Sequence, residues 1–149
     1  MELTIEQALQ QGIAAHNEGK LQDAERLYRA ILQSQPLHPG ANHNLGLIAV
    51  SVNKNDAALP LFKSALEANP KIEQFWLSYI DVLIKEKQFD NAKQVLEQGK
   101  KQGLGGEKVD ALEGGLRLIT EAPRTTLPEQ KNQKKAKKQN LKAISPSET

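Results

Sequence analysis

The 149-residue chain contains no cysteine. That removes disulfides, thiolate zinc sites and cysteine nucleophiles together, and it fits a reducing compartment. Aromatic residues make up only 4% of the chain, too few for the large inward-facing rings of a typical β-sandwich, while Ala, Leu and Gln are plentiful. That balance favours helices packed through small residues. No run of apolar residues approaches the ~18 that a membrane span requires. The first residues, Met1-Glu2-Leu3-Thr4, have neither a basic start nor an apolar stretch, so no signal peptide is expected and a cytoplasmic location is.

Charge is nearly balanced overall, at +2, but unevenly placed. Residues 1–123 carry 13 basic and 16 acidic side chains, whereas residues 124–149 carry 7 and 2. A hydrophobic fraction of 38% gives the first region enough apolar surface for a core. The second cannot offset its chain entropy by burial, so residues 123–149 are expected to form a disordered Lys-rich linker or tail.

Displacing the sequence until Gly12 falls on Gly46 superimposes like on like elsewhere too. At that same offset Ala24 falls on Ala58 and Ala92, Leu32 on Leu66, and Pro36 on Pro70. Tyr28 falls on Phe62 and then Leu96. Each unit reads as two helices. Thr4-x-x-Gln7 has the form of a capping box and opens a helix to about residue 18. A turn at Asn17-Glu18-Gly19-Lys20 leads to a second helix with Leu21, Ala24, Leu27, Tyr28, Ile31 and Leu32 on one face, stopped by Pro36 and Pro39. The second unit has a helix through 45–52, a turn at Asn53-Lys54-Asn55 and a helix to 68, in which Pro60 costs one hydrogen bond. The third has helices over 73–86 and 89–102. A last segment over 107–120, with Val109, Leu112, Leu116 and Ile119 on one face, is expected to cap the stack or to be the first helix of a degenerate fourth repeat, and Gly114-Gly115 to allow close contact.

The repeated residues have a common physical sense. Gly12 and Gly46 remove side chains where paired helices touch, and Ala24, Ala58 and Ala92 do so from the partner helix. A mid-helix Gly costs about 1 kcal/mol against Ala, which close packing can repay. Tyr28, Phe62 and Leu96 then fill the space toward the next unit.

This pattern resembles the tetratricopeptide-repeat (TPR) family over residues 5–104. The resemblance implies an all-α fold: a right-handed superhelix of three helix–turn–helix repeats, about 5–38, 39–72 and 73–104, with a capping helix, all within residues 1–122. The third repeat departs from the pattern. Ile80 replaces the helix glycine, Gly99 stands where Ile31 and Ala65 do, and Leu104 occupies the proline position. A TPR stack followed by a Lys-rich segment also resembles bacterial proteins in which TPRs precede a transferase domain, so Thr149 need not be the natural end.

Nothing in the sequence points to catalysis, a cofactor or a metal. His16, His38 and His43 show no i, i+4 pairing and no completing carboxylate. Gly103-Leu104-Gly105-Gly106 has no Walker lysine and follows no strand, and so reads as a helix stop. The TPR resemblance instead implies a concave groove lined by the first helix of each unit. On their outward side the expected partner-binding residues are Leu9, Gln10, Ile13 and Asn17, then His43, Asn44 and Leu47, then Gln74, Leu77, Ser78, Asp81 and Lys85. Polar Gln10, Asn44 and Ser78 recur at the repeat offset beside Leu9, His43 and Leu77, a surface suited to an extended peptide. The positions at which some TPR domains clamp acidic chaperone tails are here Leu9, Ile13, Asn44, Gln74 and Ser78, none cationic, so such tails are not expected as partners. The leading expectation is a protein-interaction scaffold. The alternatives are the targeting or substrate-presenting arm of a larger transferase, and binding of nucleic acid or an anionic surface through the basic tail. The absence of aromatics among the lysines argues against nucleic acid. Homo-oligomers through the stack's end or groove are compatible with the sequence.

Overall fold

The computed structural model describes residues 2–121. The expected tail over 123–149 lies outside the described residues. Among the described residues seven helices follow one another: α1 (Ile5–Asn17), α2 (Leu21–Ser34), α3 (Pro39–Ser51), α4 (Asn55–Ala68), α5 (Glu73–Lys85), α6 (Phe89–Lys101) and α7 (Glu107–Glu121). Among the described residues there is no strand. The first helices of the three pairs begin at Ile5, Pro39 and Glu73, and α7 begins at Glu107, so one even spacing runs through all four. The chain divides into two compact units, Met1–Phe75 and Trp76–Thr149.

Local chemistry sets the helix ends. The Gln7 amide donates to Thr4 Oγ1 (3.1 Å) while the Thr4 amide donates to Gln7 Oε1 (3.0 Å), a complete capping box. Pro39 starts a helix rather than stopping one. It is the first residue of α3, where its missing N–H is no loss, and the preceding His38 accepts the Ala41 amide at Nδ1 (3.0 Å). The second unit's first helix therefore begins well before the apolar run at 45–52. Pro60 lies inside α4, which continues to Ala68 without the hydrogen bond it forgoes.

Four of these helices close with one hydrogen-bond motif. After α1 the Lys20 amide donates to the Ala15 carbonyl and Gly19 to that of His16. The pairs Lys54–Ala49 with Asn53–Val50, Gln88–Leu83 with Lys87–Ile84, and Leu104–Gly99 with Gly103–Lys100 repeat it. The motif needs a left-handed residue at its centre. Gly19 (φ 80°), Asn53 (φ 62°), Lys87 (φ 60°) and Gly103 (φ 101°) supply it.

In the first unit Ala24, Tyr28 and Ala58 are wholly buried, as is Phe62 to within 1%. A Cβ placed on Gly12 would lie 2.6 Å from Tyr28 Cε1, and one on Gly46 2.5 Å from Phe62 Cε1. The glycines are thus seats for the rings. The second unit solves the same problem differently. Buried Ile80 and Leu96 stand at the register of glycine and ring, so bulk has moved from one helix to the other. Gly99 receives a ring instead, since its Cβ would meet Trp76 Cε3 at 3.0 Å and Leu104 Cδ2 at 2.7 Å. Leu104, standing where the earlier units have proline, is the apolar lid that commonly closes this helix-ending motif over the preceding turn.

Candidate functional site

The candidate residues of the first unit lie on α1 and α3, which pack on α2 and α4 and touch each other. A Cβ on Gly40 would stand 3.7 Å from Leu9 Cδ1, which places Leu9 over the start of α3. Ile13 is 39% exposed, Gln10 and Asn17 are exposed, and Leu9, Asn44 and Leu47 are half-buried, as is Gln74 at the start of α5. Apolar and amide groups thus alternate among these wholly or partly accessible side chains.

Four candidates are not on the surface. His43, Leu77, Ser78 and Asp81 are only 6%, 4%, 2% and 3% exposed, so their expected outward placement is corrected. His43 lies against the rings of Phe75 and Phe62, with centroids 4.8 and 5.4 Å away. Leu77, Ser78 and Asp81 belong to α5, which is buried around nearly its whole circumference. Asp81 Oδ2 takes the Lys85 ammonium at 3.1 Å, and half-buried Lys85 is the accessible end of that pair.

The same helices carry a polar chain that the sequence did not announce. His16 Nδ1 is 3.3 Å from the Tyr28 hydroxyl. Asn44 hydrogen-bonds Tyr28 and lies with Oδ1 3.4 Å from His43 Nδ1. Burial holds both histidines below their ordinary pKa of 6.5, and at His43 it outweighs the Asn44 contact, which pulls upward. Burial also raises Tyr28, against the opposing pull of Asn44. The Asn44 carbonyl oxygen can only accept, so its link to His43 needs the proton on His43 Nδ1, and Asn44 bridges His43 and Tyr28. Asn44 is thereby held in one orientation. Comparison of one repeat with the next reveals the tyrosine but not this chain, because His16 and His43 occupy different positions in their repeats.

The arrangement offers hydrogen bonds and shallow apolar contact. Among the described residues no group of three or more His, Cys, Asp or Glu could hold a metal ion. No described helix is long and apolar enough to cross a membrane.

Comparison with known proteins agrees with this architecture. Two family models of the tetratricopeptide repeat match, one over residues 9–51 and the other over residues 49–114. No curated protein matches by sequence. Among solved structures, MamA of AMB-1 is 25% identical with a TM-score of 0.70, covering 89% of this chain and 73% of that one. PilF of Pseudomonas aeruginosa is 20% identical with a TM-score of 0.67, covering 96% of this chain and 62% of its own. The type III secretion chaperone SycD of Yersinia enterocolitica, in complex with a peptide of the translocator YopD, is 17% identical with a TM-score of 0.59 over 100% of this chain and 98% of SycD. The even helix register, the ring-on-glycine packing and both family models converge: the chain belongs to the tetratricopeptide-repeat family.

Proposed function

We propose that the chain is a non-catalytic protein-interaction module that holds an extended, neutral segment of another protein along α1 and α3. The observation that carries this reading is that Ile13, Leu9 and Leu47, wholly or partly accessible, alternate with the amides of Gln10 and Asn44, and we take them as one strip. An extended peptide needs amides for its backbone and shallow apolar sites for alternate side chains. Asn44, oriented by Tyr28 and His43, offers such an amide with little further ordering cost. The SycD complex supports the class of partner, since a chain of similar fold is there joined to a peptide.

The strip carries no cation at Leu9, Ile13, Asn44 or Gln74. An acidic peptide end would lose hydration there without gaining a charge-assisted hydrogen bond, a contact worth about 1.5–3 kcal/mol. Titration with a neutral apolar peptide and an acidic-ended one, followed by amide chemical shifts, tests the reading. The neutral peptide should shift Ile13, Asn44 and Leu47. Saturable binding of the acidic peptide alone, or no shift at this strip from any neutral sequence, would overturn it.

A further inference from the structure

The first helices of the repeats differ in which side they bury. α1 buries Ala8 and Gly12 and exposes Gln7, Gln10 and Ala14. α7, the fourth helix in the same register, does the reverse. Val109, Leu112 and Leu116, in register with those three exposed residues, are buried, whereas Asp110 and Gly114, in register with Ala8 and Gly12, are exposed. α3 and α5 bury both sets, apart from half-buried Asn44. α7 is therefore the first helix of a fourth unit, and no described second helix lies at its side. Gly12 and Gly46 seat Tyr28 and Phe62, but apart from α7's own adjacent residues and backbone no described atom comes within 4 Å of a Cβ on Gly114. Among the described residues the close contact expected of Gly114-Gly115 is absent, and Leu118 beside them is 44% exposed.

The sequence that follows departs from the second-helix pattern. Pro123, Thr126, Glu129, Gln130, Gln133 and Lys134 stand where α2 has Leu21, Ala24, Leu27, Tyr28, Ile31 and Leu32. None is a large apolar residue, and Gln130 replaces the ring. The open face is acidic on balance: Glu107 and Asp110 are exposed beside Gly114, while Glu121 is already paired with Lys93 at 3.3 Å and exposed Arg117 contributes one positive charge.

We infer that this face of α7 is a second docking site, for a basic amphipathic helix of another protein. A large ring or leucine of that helix seats over Gly114, its apolar side covers Leu118, and its Lys or Arg residues meet Glu107 and Asp110. The fold supplies the template, because the chain itself builds this helix-on-glycine joint twice. The acidic border selects the sign of the partner. The site is separate from the strip on α1 and α3, so either can fail alone.

A suitable probe is a synthetic peptide of residues 21–34 carrying Asp23→Lys and Glu25→Lys, titrated into the full chain. It should bind saturably and shift the amides of Gly114 and Leu118, not those of Ile13 and Leu47. Adding Tyr28→Ala to the peptide should weaken binding by about tenfold or more, about 1.4 kcal/mol or more. In the protein, Gly114→Leu, and separately Glu107→Lys with Asp110→Lys, should do the same with unchanged helical circular dichroism. Binding that ignores Gly114→Leu, or no saturable binding, would overturn the inference. So would self-association of the chain that Gly114→Leu abolishes, since a second copy would then be the occupant. A tenfold gain in peptide affinity on deleting residues 124–149 would overturn it in favour of the chain's own tail.

Discussion

Gly46 and Phe62 claim the same space: a Cβ on the glycine would lie 2.5 Å from the ring's Cε1, inside any tolerable contact. The ring is 1% exposed and has nowhere to retreat. Gly46→Ala should therefore destabilise the protein, since overpacking costs about 1–3 kcal/mol against the roughly 1 kcal/mol that Ala gains in a helix interior. Gly114→Ala, the same substitution in the same repeat position, should stabilise it by up to about 1 kcal/mol, because its Cβ meets open space. Urea midpoints of the two variants decide the matter, and shifts of the same sign would refute the ring-on-glycine account.

Lys87 holds φ 60° in a motif where Gly19 and Gly103 hold it without a side chain. A left-handed conformation costs an L-residue about 1–2 kcal/mol. Lys87→Gly should raise stability by about 1 kcal/mol, with the Gln88–Leu83 and Lys87–Ile84 backbone bonds retained. Asn53→Gly should gain less, since Asn tolerates this region better. A lower thermal midpoint for Lys87→Gly would contradict the assignment.

Burial depresses His16 and His43 below 6.5, and a charge on His16 further opposes one on His43. Well above pH 6.5 both are neutral folded or unfolded, and the full stability is present. As pH falls below 6.5 the unfolded chain takes up protons that the folded chain does not, so stability declines until the lowered folded pKa is passed. Urea midpoints should fall from neutral to mildly acidic pH, and His43→Phe, ringed by Phe62 and Phe75, should flatten that slope. A midpoint independent of pH in the parent protein would remove the neutral polar chain from consideration.

Gly99→Leu should unfold the second unit's packing, because Trp76 and Leu104 already occupy the place of its side chain. The equivalent residues Ile31 and Ala65 are themselves buried side chains, at 1% and 0% exposed, so repeat consensus alone would recommend the change. Near-ultraviolet circular dichroism of Trp76 should collapse in this variant. An unaltered tryptophan signal would mean that the joint is looser than these distances imply.

Displacing the sequence by one repeat reveals the fold because it detects paired constraints: Gly12 with Tyr28, and Gly46 with Phe62. It cannot report how completely neighbours close over a position. Leu9 and Leu77 occupy equivalent sites, yet one is half-buried and the other 4% exposed, since α5 is buried around nearly its whole circumference and α1 is not. Ser78 and Asp81 are misread for that reason, and so is His43, over which the rings of Phe62 and Phe75 close. Pro39 shows a further limit: the same residue can end one helix or begin the next, and only the His38 cap distinguishes them. Gly99 is a departure from the repeat that becomes intelligible once Trp76 is seen above it.

Trp76 is the protein's single tryptophan, and it is 6% exposed in the second unit, seated on Gly99. The molecule thus carries an intrinsic optical label on one unit only. Excitation at the indole band reports the second unit, whereas helical ellipticity reports both. If the two compact units melt as one cooperative body, the curves coincide. If they do not, the ellipticity must show a transition to which the indole is blind.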